Sequence, residues 1–155
     1  MELQSSILNK YHTLLMLDDN DDVEKEWLIR QNKQAKGLST VHFHILSYLQ
    51  RHPNATAKAI SEELQVLRGT LSKRLFFLIQ RHLIIVNTNP KDGRSKCYLL
   101  TEPGYKLAQS HNNLLQQKNR QLESCLQNFS TQQLQTINIF LAEFVTAETK
   151  ITYSK

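Results

Sequence analysis

The sequence predicts a mostly α-helical fold in which three short helices are followed at once by a two-stranded hairpin, with longer helices at both ends of the chain. Apolar residues recur at helical spacing in three successive segments between residues 39 and 81. Two apolar segments, residues 83–88 and 96–100, then flank a turn that contains Pro, Asp and Gly. Three helices and a hairpin in this order are typical of a winged helix-turn-helix.

Length and composition indicate one globular domain. The chain has 155 residues, of which 40% are hydrophobic and 21% charged, with only four Gly and three Pro. This composition excludes a disordered tail and a collagen-like repeat. The apolar runs are far shorter than the ~20 residues of a membrane-spanning helix. The first residues lack the basic start and clean apolar stretch of a signal peptide. We therefore expect a cytoplasmic protein.

The N-terminal region predicts one bent helix or two. Apolar residues recur at helical spacing from Leu3 to Leu15, and the acidic run Asp18–Asp22 then interrupts the pattern before Trp27. Gly37 ends this region, and the three central helices follow it.

The central helices and the hairpin have recognisable ends. Ser39-Thr40 begins the first helix and Pro53 stops it, because Pro cannot continue the backbone hydrogen-bond ladder. Thr56 is the expected N-cap of the second helix. The third runs from about Leu67 to Arg81, and its apolar side consists of Leu71, Leu75, Leu78 and Ile79.

The C-terminal region predicts two more helices. Thr101, with Pro103 in the first turn, begins a helix that continues through Leu126. Ser130 and Gln133 have the spacing of a capping box, and the last helix is expected to run to about Glu148.

Positive charge is concentrated in the middle of the chain. The formal net charge is +5, but residues 1–30 hold three basic and seven acidic side chains, a net of −4. Residues 31–100 hold eleven basic and three acidic side chains, a net of +8, and residues 101–155 a net of +1. A segment of this charge attracts a polyanion, although basic residues also occur simply as a solvated helical surface.

The early polar side of the third central helix carries residue types that a helix needs in order to lie in the major groove of DNA. Arg donates two hydrogen bonds to guanine in the major groove, and Ser or Thr bonds bases or phosphates. Gly69 lowers helix stability by up to ~1 kcal/mol relative to Ala, which suggests a close approach to the backbone. An amphipathic surface helix with incidental basic groups is the alternative. The candidate residues are Arg68, Thr70, Ser72, Lys73 and Arg74.

The hairpin tip carries a second basic group, formed by Lys91, Arg94 and Lys96. A basic side chain on a narrow hairpin can reach into the minor groove of DNA. We expect Asp92, two residues before Arg94, to hold its guanidinium in position. A basic turn is a weak signal alone, and it gains weight because it directly follows the basic helix.

These residues resemble the MarR family of winged helix-turn-helix transcription regulators. The resemblance covers residues 38–106, and its most specific parts are DGRSK (92–96) with LTEPG (100–104), followed by RGTLSK (68–73). It implies a single domain over residues 1–155, in which 38–101 form the DNA-binding lobe and 1–36 with 102–150 form dimerisation helices.

The resemblance also implies a function and a set of partners. A homodimer would bind a pseudo-palindromic operator in double-stranded DNA and, usually, repress nearby genes until a small molecule relieves the repression. Carried over by position, the DNA contacts fall on the helix and hairpin residues named above, with Asp92 as the usual partner of the wing Arg. The inducer, the operator and the choice between repressor and activator stay open.

Four positions depart from the family pattern. Leu67 stands where a Ser N-cap is common, so Thr70, water or phosphate would cap the helix instead. Phe76 and Phe77 replace polar or basic residues, and their role is open between extra packing, a ligand-pocket wall and a different DNA face. His82 stands where Gly is common.

Other chemistry is not expected. His42 and His44 point about 200° apart on a helix and cannot easily share a metal, so no metal site and no cofactor is predicted. Cys97 and Cys125 are expected to be buried, inert thiols. No phosphate loop, nucleophile elbow or metalloprotease motif is present, so the chain is not expected to be an enzyme. The alternatives left open are a winged-helix module that binds protein without binding an operator, and a metal-responsive regulator.

Overall fold

The elements of the computed structural model follow the order that the sequence predicts. The structure describes residues 1–18 and 21–153. In chain order the elements are α1 (Glu2–Asp18), α2 (Asp21–Gln31), a 3-10 turn (Lys33–Ala35), α3 (Thr40–Arg51), β1 (Ala55–Thr56), α4 (Ala57–Leu64), α5 (Arg68–Gln80), β2 (Ile84–Thr88), β3 (Lys96–Leu100), α6 (Glu102–Leu126) and α7 (Thr131–Tyr153). The predicted class, mostly α with a winged helix-turn-helix, is confirmed.

The ends of the helices confirm the sequence reading in most places. Side chains at four predicted starts accept a hydrogen bond from the backbone N–H three residues later, namely Ser39, Thr56, Thr101 and Ser130. The N-terminal region forms two helices, α1 and α2, and residues 19–20 of the acidic run lie outside the described residues. Helix α7 runs to Tyr153, past the expected end at Glu148.

A three-stranded antiparallel sheet has the strand order β1-β3-β2. Strands β2 and β3 are the predicted hairpin, with Ile84 opposite Leu100 and Thr88 opposite Lys96. Strand β1, which the sequence did not predict, pairs Ala55 with Tyr98. The two residues of β1 are too few to carry an alternating pattern, so only their pairing with β3 defines them as a strand.

The chain forms two compact units, residues 1–113 and residues 114–155. In the first unit, α3, α4, α5, β2, β3 and the start of α6 enclose a core whose fully buried members are Ile45, Leu46, Leu49, Ile60, Leu71, Leu78, Leu83, Ile84, Cys97 and Leu107. Gly104 lets α6 approach this core, because a Cβ built on it would lie 1.9 Å from the backbone oxygen of Leu83. The second unit holds the end of α6 and all of α7. The predicted division into a DNA-binding lobe and dimerisation helices concerns their roles and stays a prediction.

Large apolar side chains are exposed in both terminal regions. In α1, Leu3, Leu14 and Met16 are 73%, 64% and 75% exposed. In α6 and α7, Leu122 and Val145 are 61% and 66% exposed. Across residues 1–18 and 21–153, none of the helices combines the length and the hydropathy that crossing a membrane requires.

Candidate nucleic-acid interface

Helix α5 separates its apolar side from its basic side as predicted. Leu71, Leu75 and Leu78 are buried against the core, and Ile79 is half-buried. Around this apolar stripe, Arg68, Thr70, Ser72 and Lys73 are exposed and Arg74 is half-buried. The helix therefore presents two cations and two hydroxyls to solvent, with a third cation partly covered.

The two ends of α5 are formed differently. At its start Leu67 makes no side-chain capping bond, so no hydroxyl competes for the first backbone N–H groups. Whether Thr70, water or phosphate caps this end stays a prediction. After its end His82 has φ 55°, a left-handed conformation that explains why Gly is common there in the family.

Arg81 ties the end of α5 to the segment that precedes α3. Its guanidinium donates two hydrogen bonds, at 3.0 Å to the backbone oxygen of Lys36 and at 2.8 Å to that of Gln34. The same guanidinium lies 5.5 Å from the ring centroid of Phe77. These contacts fix α5 relative to the chain that enters the winged helix-turn-helix. Arg81 was not among the residues singled out from the sequence.

One cleft brings α5 and the wing together. Its volume is about 540 Å³, and its lining includes Arg68 of α5, Lys58 of α4, and Asp92, Ser95 and Lys96 of the wing. Arg68 and Lys96 therefore lie on the same side of this unit, as a shared DNA contact requires. Lys58 is a third cation in the cleft that the sequence analysis missed, and its place within the +8 segment is the signal that could have found it.

Asp92 stabilises the backbone of the wing and not the guanidinium of Arg94. Its Oδ1 accepts hydrogen bonds from the backbone N–H groups of Arg94 and Ser95, both at 3.0 Å. Its Oδ2 accepts from the hydroxyl of Ser95 at 2.7 Å. These three bonds, the one from the Ser95 hydroxyl first, lower the pKa of Asp92. The expected role of Asp92 is thus corrected, because an acceptor this close to two consecutive N–H groups is used locally.

The predicted cations of the wing are accessible to solvent. Lys91, Arg94 and Lys96 are all exposed. Asn89 closes the loop, since its backbone N–H donates to Ser95 at 2.6 Å and its Oδ1 accepts from the N–H of Lys91 at 3.0 Å. The loop backbone is held in place, and its basic side chains project from a hydrogen-bonded frame.

The two Phe residues of α5 have different surroundings. Phe76 is 61% exposed. Phe77 is half-buried and stacks on His42, with ring centroids 4.8 Å apart at an angle of 29°. Phe77 and His42 also line a second cavity of about 420 Å³ with Thr70, Lys73 and Arg74. Phe77 therefore combines packing with lining a cavity wall.

His42 is a buried histidine that the sequence analysis considered only as a metal ligand. Its Nδ1 accepts a hydrogen bond from the backbone N–H of Ser39 at 2.9 Å. Burial is the main reason that its pKa falls from 6.5 to about 4, and the nearby charges of Arg74 and Arg81 lower it further. His42 is neutral near pH 7, whereas His44, two residues later, is exposed.

The two cysteines differ in exposure. Cys97 is buried, as expected, but Cys125 is exposed, so the expectation of a buried thiol is wrong at that position. Cys125 lies on a stretch of α6 where residues 115–126 are all exposed, a fact that helical periodicity alone does not reveal. Among the residues that the structure describes, no three His, Cys, Asp or Glu side chains are grouped closely enough to hold a metal ion.

Comparison with known proteins identifies the segment that carries this geometry. Residues 36–95, from just after the 3-10 turn to the end of the loop between β2 and β3, match the model of the MarR family. The match covers 60 of the 155 residues, and over this segment the chain is similar to the MarR family. MarR-family proteins are transcription regulators, so this match favours the expectation that the chain is not an enzyme.

A curated relative and two solved structures extend the similarity beyond the MarR-family segment. YvnA of Bacillus subtilis (strain 168), an uncharacterized HTH-type transcriptional regulator, is 25% identical over 121 residues, which are 78% of this chain and 70% of YvnA. FabT of Streptococcus pneumoniae, solved in complex with DNA, is 19% identical with a TM-score of 0.69, over 93% of this chain and 96% of FabT. MepR of S. aureus, also solved with DNA, is 21% identical with a TM-score of 0.67, over 88% of this chain and 95% of MepR. At these identities the two structures establish a shared fold.

Proposed function

We propose that this protein is a transcriptional regulator that binds double-stranded DNA in a sequence-specific manner. The observation that carries the proposal is the cleft in which Arg68 of α5 and Lys96 of the wing lie together. Arg68 would read a base edge in the major groove while the wing contacts the neighbouring minor groove. The DNA complexes of FabT and MepR, which share this fold, support the same use here.

The contacts divide by chemistry into base-reading and phosphate-binding groups. Arg68, Thr70 and Ser72, at the exposed start of α5, would reach base edges or phosphates. Lys73 and Arg74 would bind DNA phosphates. The exposed wing cations Lys91, Arg94 and Lys96 would bind in the minor groove and to the phosphates beside it. Asp92 would contribute indirectly, by holding the wing backbone in shape. No neighbour in the described chain lies within 4 Å of a Cβ built on Gly69, so the close approach inferred there would come from DNA.

The regulator would act as a homodimer that binds a pseudo-palindromic operator. The apolar side chains that α1, α6 and α7 leave exposed support this, since a second copy of the chain would cover them. The helices of residues 1–36 and 102–150 would form the dimer, and residues 38–101 would form the DNA-binding lobe. Two α5 helices would then enter major grooves about one turn, or ~34–36 Å, apart.

We propose that the regulator is a cytoplasmic repressor relieved by a small molecule. A ligand relieves repression only if it binds more tightly to the arrangement that does not fit the operator. A winged-helix module that binds protein would lack the steep salt dependence that counterion release gives to a DNA complex.

Arg94→Ala tests the wing assignment, with Lys106→Ala on α6 as a control that removes the same charge elsewhere. A duplex selected from random DNA serves as the ligand, and affinity is measured at two salt concentrations. We expect weaker binding and a salt slope reduced by about 1 for Arg94→Ala only. Sedimentation should show the dimer intact in both variants. Equal affinity of Arg94→Ala and the wild type at both salt concentrations would contradict the assignment.

Arg68→Ala tests the base-reading role on the same duplex and on single-base-pair variants of it. We expect the preference at one base pair to relax, by about tenfold or more, while other positions keep theirs. A uniform loss over all duplexes would instead make Arg68 a phosphate contact.

A further inference from the structure

A buried hydrogen-bond donor without a partner lies beside the basic side of α5. Because the backbone N–H of Ser39 is always a donor, Nδ1 of His42 is an acceptor, and the proton of the neutral ring is on Nε2. Only 2% of His42 is exposed. Its Nε2 is buried and has no hydrogen-bond partner among the described residues. Buried donors of this kind are rare in folded proteins, and each one calls for an explanation.

The cavity that His42 lines is suited to an anion. Its volume is about 420 Å³, and its other lining residues are Gly37, Thr70, Lys73, Arg74 and Phe77. The charged groups among these are an ammonium and a guanidinium, and the lining contains no carboxylate. Thr70 adds a hydroxyl, and the ring of Phe77 covers one face of the imidazole. An anionic oxygen is the group that accepts hydrogen bonds from all of these donors at once.

We propose that this cavity binds a carboxylate or phosphate group whose oxygen accepts the hydrogen bond of His42 Nε2 and pairs with Lys73 and Arg74. The oxygen can come from a small free anion or from a phosphate of DNA. Thr70, Lys73 and Arg74 are also proposed DNA contacts, so a free anion in this cavity would compete with the operator. That competition rests on the proposed function, whereas the binding of a free anion does not.

The first experiment observes the histidine side chains of the full-length, ¹⁵N-labelled wild type by NMR near pH 7. Inorganic phosphate and acetate are the probes, each added at constant ionic strength against chloride. We expect a saturable shift of the His42 Nε2–H resonance with at least one probe. In a second measurement, the same His42 resonance is observed with a tightly bound duplex in place of the free anion.

Two variants test whether the Nε2 donor of His42 is responsible for anion binding. His42→Asn keeps an acceptor near the position of Nδ1 for the Ser39 N–H but removes the Nε2 donor. His44→Asn makes the same change at an exposed position of the same helix. We expect anion affinity to fall about tenfold in His42→Asn and to stay unchanged in His44→Asn. Should His42→Asn not fold, Lys73→Gln, at an exposed position, replaces it with an expected loss of several-fold.

The outcomes distinguish this proposal from the DNA-binding function. A shift with phosphate or acetate supports the anion site even if no duplex binds. A shift with duplex alone supports the site and assigns the oxygen to a DNA phosphate. If neither a free anion nor a bound duplex shifts the His42 resonance, the proposal is overturned while DNA binding stands.

Discussion

The low pKa of His42 makes a quantitative prediction about stability and pH. The pKa of this imidazole is 6.5 when solvated and about 4 in the folded chain, chiefly because of burial. As the pH falls below 6.5, the unfolded chain binds a proton at His42 and the folded chain does not. The contribution of His42 to stability is therefore fully present above pH 6.5 and is lost as the pH falls to about 4.

The size of this effect follows from the difference between the two pKa values. One pKa unit corresponds to 1.36 kcal/mol, so a difference of about 2.5 lowers the free energy of unfolding by about 3 kcal/mol. His42 is 2% exposed, so solvent screening removes little of this amount. A loss of this size is a large part of the stability of an ordinary domain.

Urea unfolding of the wild type and His42→Asn, at one protein concentration, measures the effect. The concentration must be fixed because association with a second copy would add to the apparent stability. The wild type contains other groups that titrate, so the informative quantity is the difference between the two unfolding free energies at each pH. Between about pH 8 and pH 4, we expect the unfolding free energy of the wild type to fall by about 3 kcal/mol relative to that of His42→Asn.

His44→Asn is the matched control, since His44 is exposed on the same helix. Its difference from the wild type should change little with pH. A His42→Asn difference that is equally flat would show that the folded chain protonates His42 freely. The account of His42 as a buried neutral donor would then be wrong.

The remaining predictions concern α5, α6 and the wing. Gly104→Ala should lower the free energy of unfolding by about 3 kcal/mol, because its Cβ would meet the backbone oxygen of Leu83 at 1.9 Å. Gly69→Ala, with no neighbour within 4 Å, should instead raise it by up to ~1 kcal/mol in the same denaturation assay. Asp92→Ala should speed amide hydrogen exchange at Arg94 and Ser95, whose N–H groups lose their acceptor. Unchanged hydrogen exchange at these two amides would show that Asp92 does not stabilise the wing backbone.

The local structure of the helices and the hairpin could be predicted closely. The capping residues Ser39, Thr56, Thr101 and Ser130 act within three residues along the chain, so their signal is contained in the sequence itself. The bounds of β3 were predicted exactly as observed, and those of α5 to within one residue at each end. The apolar side of α5 follows from helical periodicity alone, which also leaves its basic side to solvent.

The contacts of individual side chains could not be predicted in the same way. Asp92 lies two residues before Arg94, and sequence spacing cannot distinguish a bond to the guanidinium from one to the backbone N–H. The exposure of Cys125 depends on which parts of α6 other elements cover. Strand β1 exists through its pairing with Tyr98, more than forty residues away.

By itself, the sequence determined the order of helices and strands, the location of the positive charge and the basic residues of α5 and the wing. These depend on propensities and spacings over a few residues, which the chain carries wherever it folds. Only the tertiary structure decided that Arg68 and Lys96 share a cleft, and that His42 is buried beside Lys73 with an unpaired N–H. These features arise where segments distant along the chain pack together, and burial and electrostatic fields depend on all the neighbours of a group in space.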